Sequence, residues 1–205
     1  IYQINLAIAG IAVSTVSLPS LTKAIKKNYK NNITRIQNSS VELSLLLSFP
    51  ASFGLIIGAK EIVNCLFGYG SFSEEDILIT AKALTYFGYG VPAFAIVKVM
   101  SNLFFARDNT KTPFYISSLI VFINLIISLI YFKKIGFIII PIATSLSTWI
   151  GVIIYIYILM HLKFFSFERK LYLSSFKIIL STIFMGILFY YLLLHFDHLL
   201  YYSNN

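Results

Sequence analysis

The chain has 205 residues, of which 58% are hydrophobic and only 12% are charged, and its mean hydropathy is +0.83. A soluble domain of this length would carry about twice that share of charge, so the composition excludes an ordinary soluble globular protein. The net charge of +8 is typical of basic cytoplasmic loops in membrane proteins, and we expect no nucleic-acid partner. The single cysteine, Cys65, excludes an intrachain disulfide and a thiolate metal cluster.

The hydropathy pattern predicts an all-α, polytopic integral membrane protein with about six transmembrane helices. The six predicted helices cover residues 1–18, 42–66, 76–105, 114–132, 137–160 and 172–195. Helices of this kind can cross a hydrocarbon core of about 30 Å at roughly 1.5 Å per residue. The chain starts inside an apolar segment, so we expect residues 1–205 to be a single but partial transmembrane domain, with an upstream lobe missing.

Prolines and a helix-capping serine indicate where the predicted helices end, bend or begin. Pro19 predicts the exit of the first helix from the membrane, and Pro50 predicts a kink in the second. Residues 20–41 are basic, with apolar residues at helical spacing, and predict an amphipathic connecting helix at the membrane surface. A solvated connector without a specific lipid contact is the alternative. Ser73, followed by three acidic residues, predicts the start of the third helix, because acids in the first turn complement the helix dipole.

The basic residues predict the orientation of the helices. Three alternate connectors hold ten basic residues: Lys23, Lys26, Lys27, Lys30, Arg35, Arg107, Lys111, Lys163, Arg169 and Lys170. The opposite connectors hold only Lys133 and Lys134. Since positive loops stay in the cytoplasm, we expect the first, third and fifth connectors on the cytoplasmic side.

The third predicted helix carries the residues that most favour a working role. Gly88, Gly90 and Pro92 predict a break near its start, which is either a hinge or a static kink. Lys98 lies deep in its apolar part, where an ionisable side chain usually has a function. A structural ion pair or a side chain that snorkels to the interface would also explain this lysine.

Arg107 and Asp108 follow at the cytoplasmic end of the third helix. They are candidates for a gate that closes a cavity, and the simpler reading is a loop ion pair worth about 0 to 1 kcal/mol. His195, Asp197 and His198 lie in a polar tail without the spacing of a metal site, so we predict no metal and no cofactor.

Four stretches of this sequence resemble the MurJ (MviN) family of lipid II flippases, in the MOP exporter superfamily. They are GIAVSTVSLPSLTK (10–23), FGYGSFSEEDI (67–77), GYGVPAFAIVKVMSNLFFARDNTKTP (88–113) and ATSLSTW (143–149). The resemblance covers about residues 1–195 and implies the C-terminal lobe of a fourteen-helix protein. It also implies alternating access that moves undecaprenyl-pyrophosphate-linked peptidoglycan precursor across the bacterial inner membrane, as part of cell-wall biogenesis.

The resemblance also implies which residues line a cavity. The first helix lines it in the family, so Gln3, Asn5, Ser14 and Thr15 become candidates alongside Lys98. Gln3 and Ser14 are eleven residues apart and should share a helix face. Packing between helices is the alternative for this set. Gln3 stands at a position that is often acidic in the family.

Several family features are absent from this sequence. It lacks the first lobe, which holds most of the family's cavity arginines, and the last family helix. Its expected partners are therefore lipid II, membrane lipids and the missing N-terminal lobe.

Three alternatives to a lipid II flippase fragment remain open. The chain could belong to another MOP exporter, for O-antigen units or drugs, although the 88–113 stretch argues against this. A membrane-embedded prenyl-phosphate enzyme would need a cluster of carboxylates for acid–base or metal chemistry, and the sequence has no such cluster in its cytoplasmic connectors. The third alternative is an inactive product of a split gene. We predict a transporter without catalytic residues.

Overall fold

A computed structural model describes the backbone of residues 2–203 and their side chains, except those at positions 5, 6 and 196–203. A π-helical segment, Ala7–Ala12, and a 3₁₀ turn, Gly136–Ile138, interrupt the α-helices. The α-helices are α1 (Tyr2–Leu6), α2 (Val13–Lys26), α3 (Lys30–Ile57), α4 (Ala59–Phe67), α5 (Glu74–Phe105), α6 (Lys111–Ile135), α7 (Ile139–His161) and α8 (Arg169–Ser203).

The predicted all-α membrane fold is confirmed. Five helical stretches are long and apolar enough to cross a bilayer, and they are Tyr2–Lys26, Lys30–Ile57, Glu74–Phe105, Lys111–His161 and Arg169–His195. The fourth contains both α6 and α7, which fold back on each other at Gly136, where φ is 71°. The Asn124 side chain donates to Thr144 Oγ1 (2.8 Å), and the Tyr155 hydroxyl donates to the Pro113 carbonyl (3.4 Å), so the two helices are antiparallel. With α6 and α7 counted separately, the described residues form six helical stretches of spanning length, and that each crosses the membrane stays a prediction.

Helix α5 is the centre of the bundle. It packs against α3, α4, α7 and the first helical stretch, Tyr2–Lys26, which we call the first crossing. The C-terminal half of α5 contributes Val99, Met100, Leu103 and Phe104 to the main apolar core, and all four side chains are almost completely buried. The start of α5 is as predicted. The Ser73 hydroxyl accepts from the Asp76 N–H (3.2 Å), and the Asp76 carboxylate accepts from the Ser73 N–H (3.0 Å). This capping box satisfies two N–H groups that would otherwise lack partners.

The first helix does not end before Pro19 as predicted, because α2 continues through this proline to Lys26. The point at which it leaves the membrane stays a prediction. A proline in a helix removes one hydrogen bond, and here the burial of Leu21 and Ala24 in the core outweighs that loss. The helix ends where Asn28 adopts a positive φ of 53°, a conformation that asparagine tolerates better than most residues.

The expected surface helix over residues 20–41 is also wrong. This stretch is divided between the end of α2 and the first turns of α3, on either side of Asn28. Most of the apolar residues at helical spacing pack against the protein core, with Tyr29 as the exposed exception, and Gln37 and Asn38 are buried nearby. Helical periodicity alone does not distinguish these two environments.

The second predicted helix, over residues 42–66, is two helices. Pro50 lies inside α3, and the chain changes direction eight residues later, at Gly58. A Cβ at Gly58 would lie 3.0 Å from the ring of Phe189, so the close approach of α8 explains a glycine at this position. The break between the two helices is therefore at Gly58, and α3 is continuous through Pro50.

Hydrogen bonds join the start of α3, the end of α5 and residues 162–168 at one end of the bundle. These parts of the chain lie in the first, third and fifth predicted connectors. The Phe164 carbonyl accepts from Gln37 Nε2 (2.8 Å) and from Arg107 Nη2 (3.0 Å). Asn38 Nδ2 donates to the Ser166 carbonyl (2.9 Å). The three basic connectors therefore lie on one side of the bundle, as their charge predicts, and that this side is cytoplasmic stays a prediction.

Candidate functional site

The best-defined polar feature in the bundle surrounds the segment Gly88–Pro92 of α5. Pro92 has no N–H, so the carbonyl of Gly88 loses its donor within the helix. The hydroxyl of Ser52, on α3, donates to this carbonyl at 2.7 Å in a buried environment. In lipid, a backbone carbonyl without a donor costs free energy, so Ser52 compensates for the proline.

Helix α7 supplies two more donors to the same segment of α5. Ser145 Oγ donates to the Tyr86 carbonyl (2.7 Å), and Trp149 Nε1 donates to the Tyr89 carbonyl (3.0 Å). Polar side chains on the two flanking helices thus hold three carbonyls within four residues of α5. We call this set of contacts the α5 carbonyl cluster.

Two glycines allow these helices to approach α5. A Cβ at Gly88 would lie 2.9 Å from Ile56 Cγ1 on α3, and a Cβ at Gly90 would lie 2.5 Å from Ser145 Oγ on α7. The break expected at Gly88, Gly90 and Pro92 is absent, since α5 is an unbroken α-helix through these residues. In this conformation the glycines provide close packing, and hinge motion at this point stays a hypothesis.

Lys98 lies on the face of α5 that meets the first crossing. One turn further on, Asn102 Nδ2 donates to the Ser14 carbonyl (2.7 Å), and one turn before it, Phe94 contacts the ring of Tyr2. The Lys98 side chain itself is exposed at the edge of this contact. Lys98 is not covered within this chain, because α3 and α7 pack on other faces of α5. The lysine lies about 10 Å from the end of α5, at roughly 1.5 Å per residue.

The candidates on the first crossing do not share one face. Gln3 and Thr15 are exposed, whereas Ser14 is buried and its hydroxyl has no hydrogen-bond partner in the described structure. The π-helical segment between Gln3 and Ser14 has more residues per turn than an α-helix, so the eleven-residue spacing no longer returns to the same side. The Asn5 side chain lies outside the described residues.

Arg107 binds backbone carbonyls at the junction of the basic connectors. Its Nη1 donates to the Leu103 carbonyl (2.6 Å), and its guanidinium carbon lies 4.4 Å from the centre of the Phe164 ring. Burial lowers the pKa of Arg107, although a guanidinium remains protonated at physiological pH. Asp108 is exposed, with a φ of 56°. Arg107 therefore fixes this end of α5 through backbone contacts, and Asp108 stands apart from them.

Residue patterns had missed the donors Ser52, Ser145 and Trp149. A signal for Ser52 is present, because Pro92 predicts a free carbonyl four residues earlier and α3 carries serines at four-residue intervals. Which serine reaches this carbonyl depends on how far α3 is shifted along α5, and that shift is set by tertiary packing.

The geometry can be compared with known proteins. The family profile described as "Lipid II flippase MurJ" matches residues 1–204. The "Probable lipid II flippase MurJ" of Rickettsia prowazekii (strain Madrid E) is 37% identical over 149 residues, which are 73% of this chain and 29% of the relative. The "Lipid II flippase MurJ" of Thermosipho africanus (strain TCF52B) is 30% identical over 173 residues, which are 84% of this chain and 35% of the relative.

A solved structure shows the same arrangement of helices. It is described as "Lipid II flippase MurJ, inward closed conformation", and it matches with a TM-score of 0.79 and 29% identity. The match covers 92% of this chain and 38% of that one, so this chain spans between a quarter and two fifths of the proteins it resembles. Because the family profile covers nearly every residue and the helices superimpose, the chain belongs to the lipid II flippase MurJ family.

Proposed function

We propose that this chain forms one lobe of a lipid II flippase in the bacterial inner membrane. The complete protein would move the undecaprenyl-pyrophosphate-linked peptidoglycan precursor from the inner to the outer leaflet by alternating access. The observation that carries this proposal is the family match over residues 1–204, together with a fold that overlaps a flippase lobe. Such a protein makes and breaks no covalent bond of its substrate; it supplies two states with different access.

Lys98 is the residue that we assign to the substrate pyrophosphate. Its ammonium group is exposed on the central helix, next to the polar contact between Asn102 and Ser14. A lysine in a membrane span is expensive unless it faces a wet path or a charged partner, which favours a cavity on this side of α5. Gln3 and Thr15, which are exposed, would extend this polar lining along the first crossing, and Asn5 and Ser14 stay candidates from the family resemblance alone. In a flippase of the length of its relatives, another lobe would complete this face.

We also assign to α5 the hinge and the gate that alternating access requires. Pro92 leaves the helix without one hydrogen bond, so bending at Gly88–Pro92 costs less than elsewhere in the helix. Arg107 holds the inner end of α5 to the fifth connector through Phe164. If α5 bends, the contacts of Arg107 and the exposed Asp108 are placed to form or release a gate on the cytoplasmic side.

Replacing Lys98 tests the assignment of the pyrophosphate site. In the full-length gene product, Lys98→Ala should lower flipping about tenfold or more, since a charge-assisted hydrogen bond contributes roughly 1.5 to 3 kcal/mol. Growth of a strain depleted of its own lipid II flippase provides the readout. Lys98→Arg should retain most of the growth because it keeps the positive charge.

Lys82 offers a matched control, because it is an exposed lysine on the same helix. Lys82→Ala should support normal growth at the same level of protein in the membrane. Equal growth with Lys98→Ala and Lys82→Ala would assign Lys98 a purely structural role.

A further inference from the structure

A groove and a pocket lie side by side on the outer surface of α3. The groove, of about 500 Å³, runs between the first crossing and α3 and is mostly apolar, with Val13, Val16 and Leu43 in its walls. The pocket, of about 290 Å³, lies between α3 and the start of α8 and is mostly polar. Arg35 and Ser39 line both, so an apolar space and a polar space meet along one ridge of α3.

The groove has the depth of one membrane leaflet. It extends along α3 from Arg35 to Leu47, which is about 18 Å at roughly 1.5 Å per residue. Half of the hydrocarbon core is about 15 Å. Arg35 lies at the end of the groove nearest the basic connectors, and Leu47 lies near the middle of α3. A hydrocarbon chain of the leaflet on that side would fill this groove along its length.

The pocket carries balanced charge. Its charged members are Arg35, Lys170, Glu42 and Glu168, two of each sign. One wall is fixed by Asn38, a buried side chain that accepts from the Glu168 N–H (3.1 Å) and donates to the Ser166 carbonyl (2.9 Å). Asn38 thus fixes the backbone next to Glu168, and Glu42 and Glu168 both line the pocket but not the groove.

We propose that this composite site binds a glycerophospholipid whose headgroup carries a primary ammonium group, of the phosphatidylethanolamine type. An acyl chain occupies the groove, the phosphate accepts hydrogen bonds from the Arg35 guanidinium, and the ammonium group donates to Glu42 and Glu168. A zwitterionic headgroup matches a pocket of zero net charge, whereas an anionic headgroup would face two carboxylates without a cation of its own. This inference concerns a lipid bound at the surface and does not rest on the transport activity.

Lipid retention tests the proposal. The purified chain is equilibrated with phosphatidylethanolamine, phosphatidylglycerol or undecaprenyl phosphate, and retained lipid is counted by native mass spectrometry. The buffer contains about 0.15 M salt, at which surface attraction is screened beyond roughly 8 Å. The wild-type chain should retain phosphatidylethanolamine over phosphatidylglycerol.

Three variants separate the parts of the site. Arg35→Ala should weaken retention of phosphatidylethanolamine about tenfold, as expected for one lost charge-assisted hydrogen bond. Glu42→Gln should reduce the preference for phosphatidylethanolamine over phosphatidylglycerol without reducing the binding of phosphatidylglycerol. Val16→Trp, which fills the groove, should weaken both lipids. Lys111→Ala, an exposed cation outside the site, is the control and should behave as wild type.

Four results would overturn the proposal. They are preferential retention of phosphatidylglycerol, an Arg35→Ala variant equal to Lys111→Ala, displacement of the bound lipid by equimolar undecaprenyl phosphate, and the absence of any retained lipid. Preferential retention of phosphatidylglycerol would indicate that anionic lipids bind to the basic connectors in general. Displacement by undecaprenyl phosphate would indicate that the groove binds a polyprenyl chain.

Discussion

Replacing Arg107 with alanine should lower the free energy of unfolding by about 2 to 4 kcal/mol. Arg107 donates to the carbonyls of Leu103 and Phe164 and lies over the Phe164 ring. Removing the guanidinium takes away the donor to the Leu103 carbonyl, in the last turn of α5. It also removes the hydrogen bond from Arg107 to the Phe164 carbonyl in the fifth connector. Reversible unfolding in mixed micelles with increasing SDS measures the change.

Two comparisons show whether the loss comes from the bidentate geometry. Arg107→Lys should recover only part of the stability, because one ammonium cannot reproduce a planar fork that reaches two carbonyls and a ring. Arg169→Ala removes an exposed arginine on the same side of the bundle and should change stability by less than about 0.5 kcal/mol. If Arg107→Ala is as mild as Arg169→Ala, the junction of the connectors does not depend on this side chain.

Replacing Ser52 with alanine should cost about 1 to 3 kcal/mol, because the Gly88 carbonyl then has no donor. Pro92→Ala places an N–H four residues after Gly88 and restores the helical donor. The cost of Ser52→Ala should therefore shrink by at least about 0.5 kcal/mol when Pro92→Ala is already present. A double-mutant cycle with the same unfolding assay measures this coupling.

Ser48 provides the control for Ser52. It lies one turn earlier on α3 and is completely buried, but its hydroxyl has no hydrogen-bond partner in the described structure. Ser48→Ala should be neutral or slightly stabilising, because it removes a buried hydroxyl that makes no bond. Equal costs for the two serines, or strictly additive changes at Ser52 and Pro92, would contradict the role given to Ser52.

The number and course of the helices follow from local patterns. Long apolar runs predict six crossings, and the Ser73–Asp76 pair predicts the start of α5 to within two residues. Local patterns misjudge the places where packing decides the outcome. Pro19 does not end its helix, because Leu21 and Ala24 are buried beyond it. Helix α3 ends just before Gly58, where a Cβ would meet the ring of Phe189, a residue more than a hundred positions later in the chain.

The candidate site was predicted in part. The motif in α5 directed attention to Gly88, Gly90, Pro92 and Lys98, and the structure places all four on the helix around which the bundle packs. Their contacts were not predictable, since the partner residues come from distant helices. The prediction that Gln3 and Ser14 share a helix face was wrong for a different reason. The π-helical segment between them has more residues per turn, so eleven residues no longer bring the chain back to the same side.

The most direct test of this account is the side of the membrane on which the connectors lie. In a Cys65→Ser background, Ser73→Cys and Asn28→Cys place single thiols at opposite ends of the crossings, and both positions are exposed. An impermeant thiol reagent applied to intact spheroplasts should label Ser73→Cys and should label Asn28→Cys only after permeabilisation. Labelling of Asn28→Cys in intact spheroplasts, or of neither thiol until permeabilisation, would contradict the six-crossing lobe with its basic connectors in the cytoplasm.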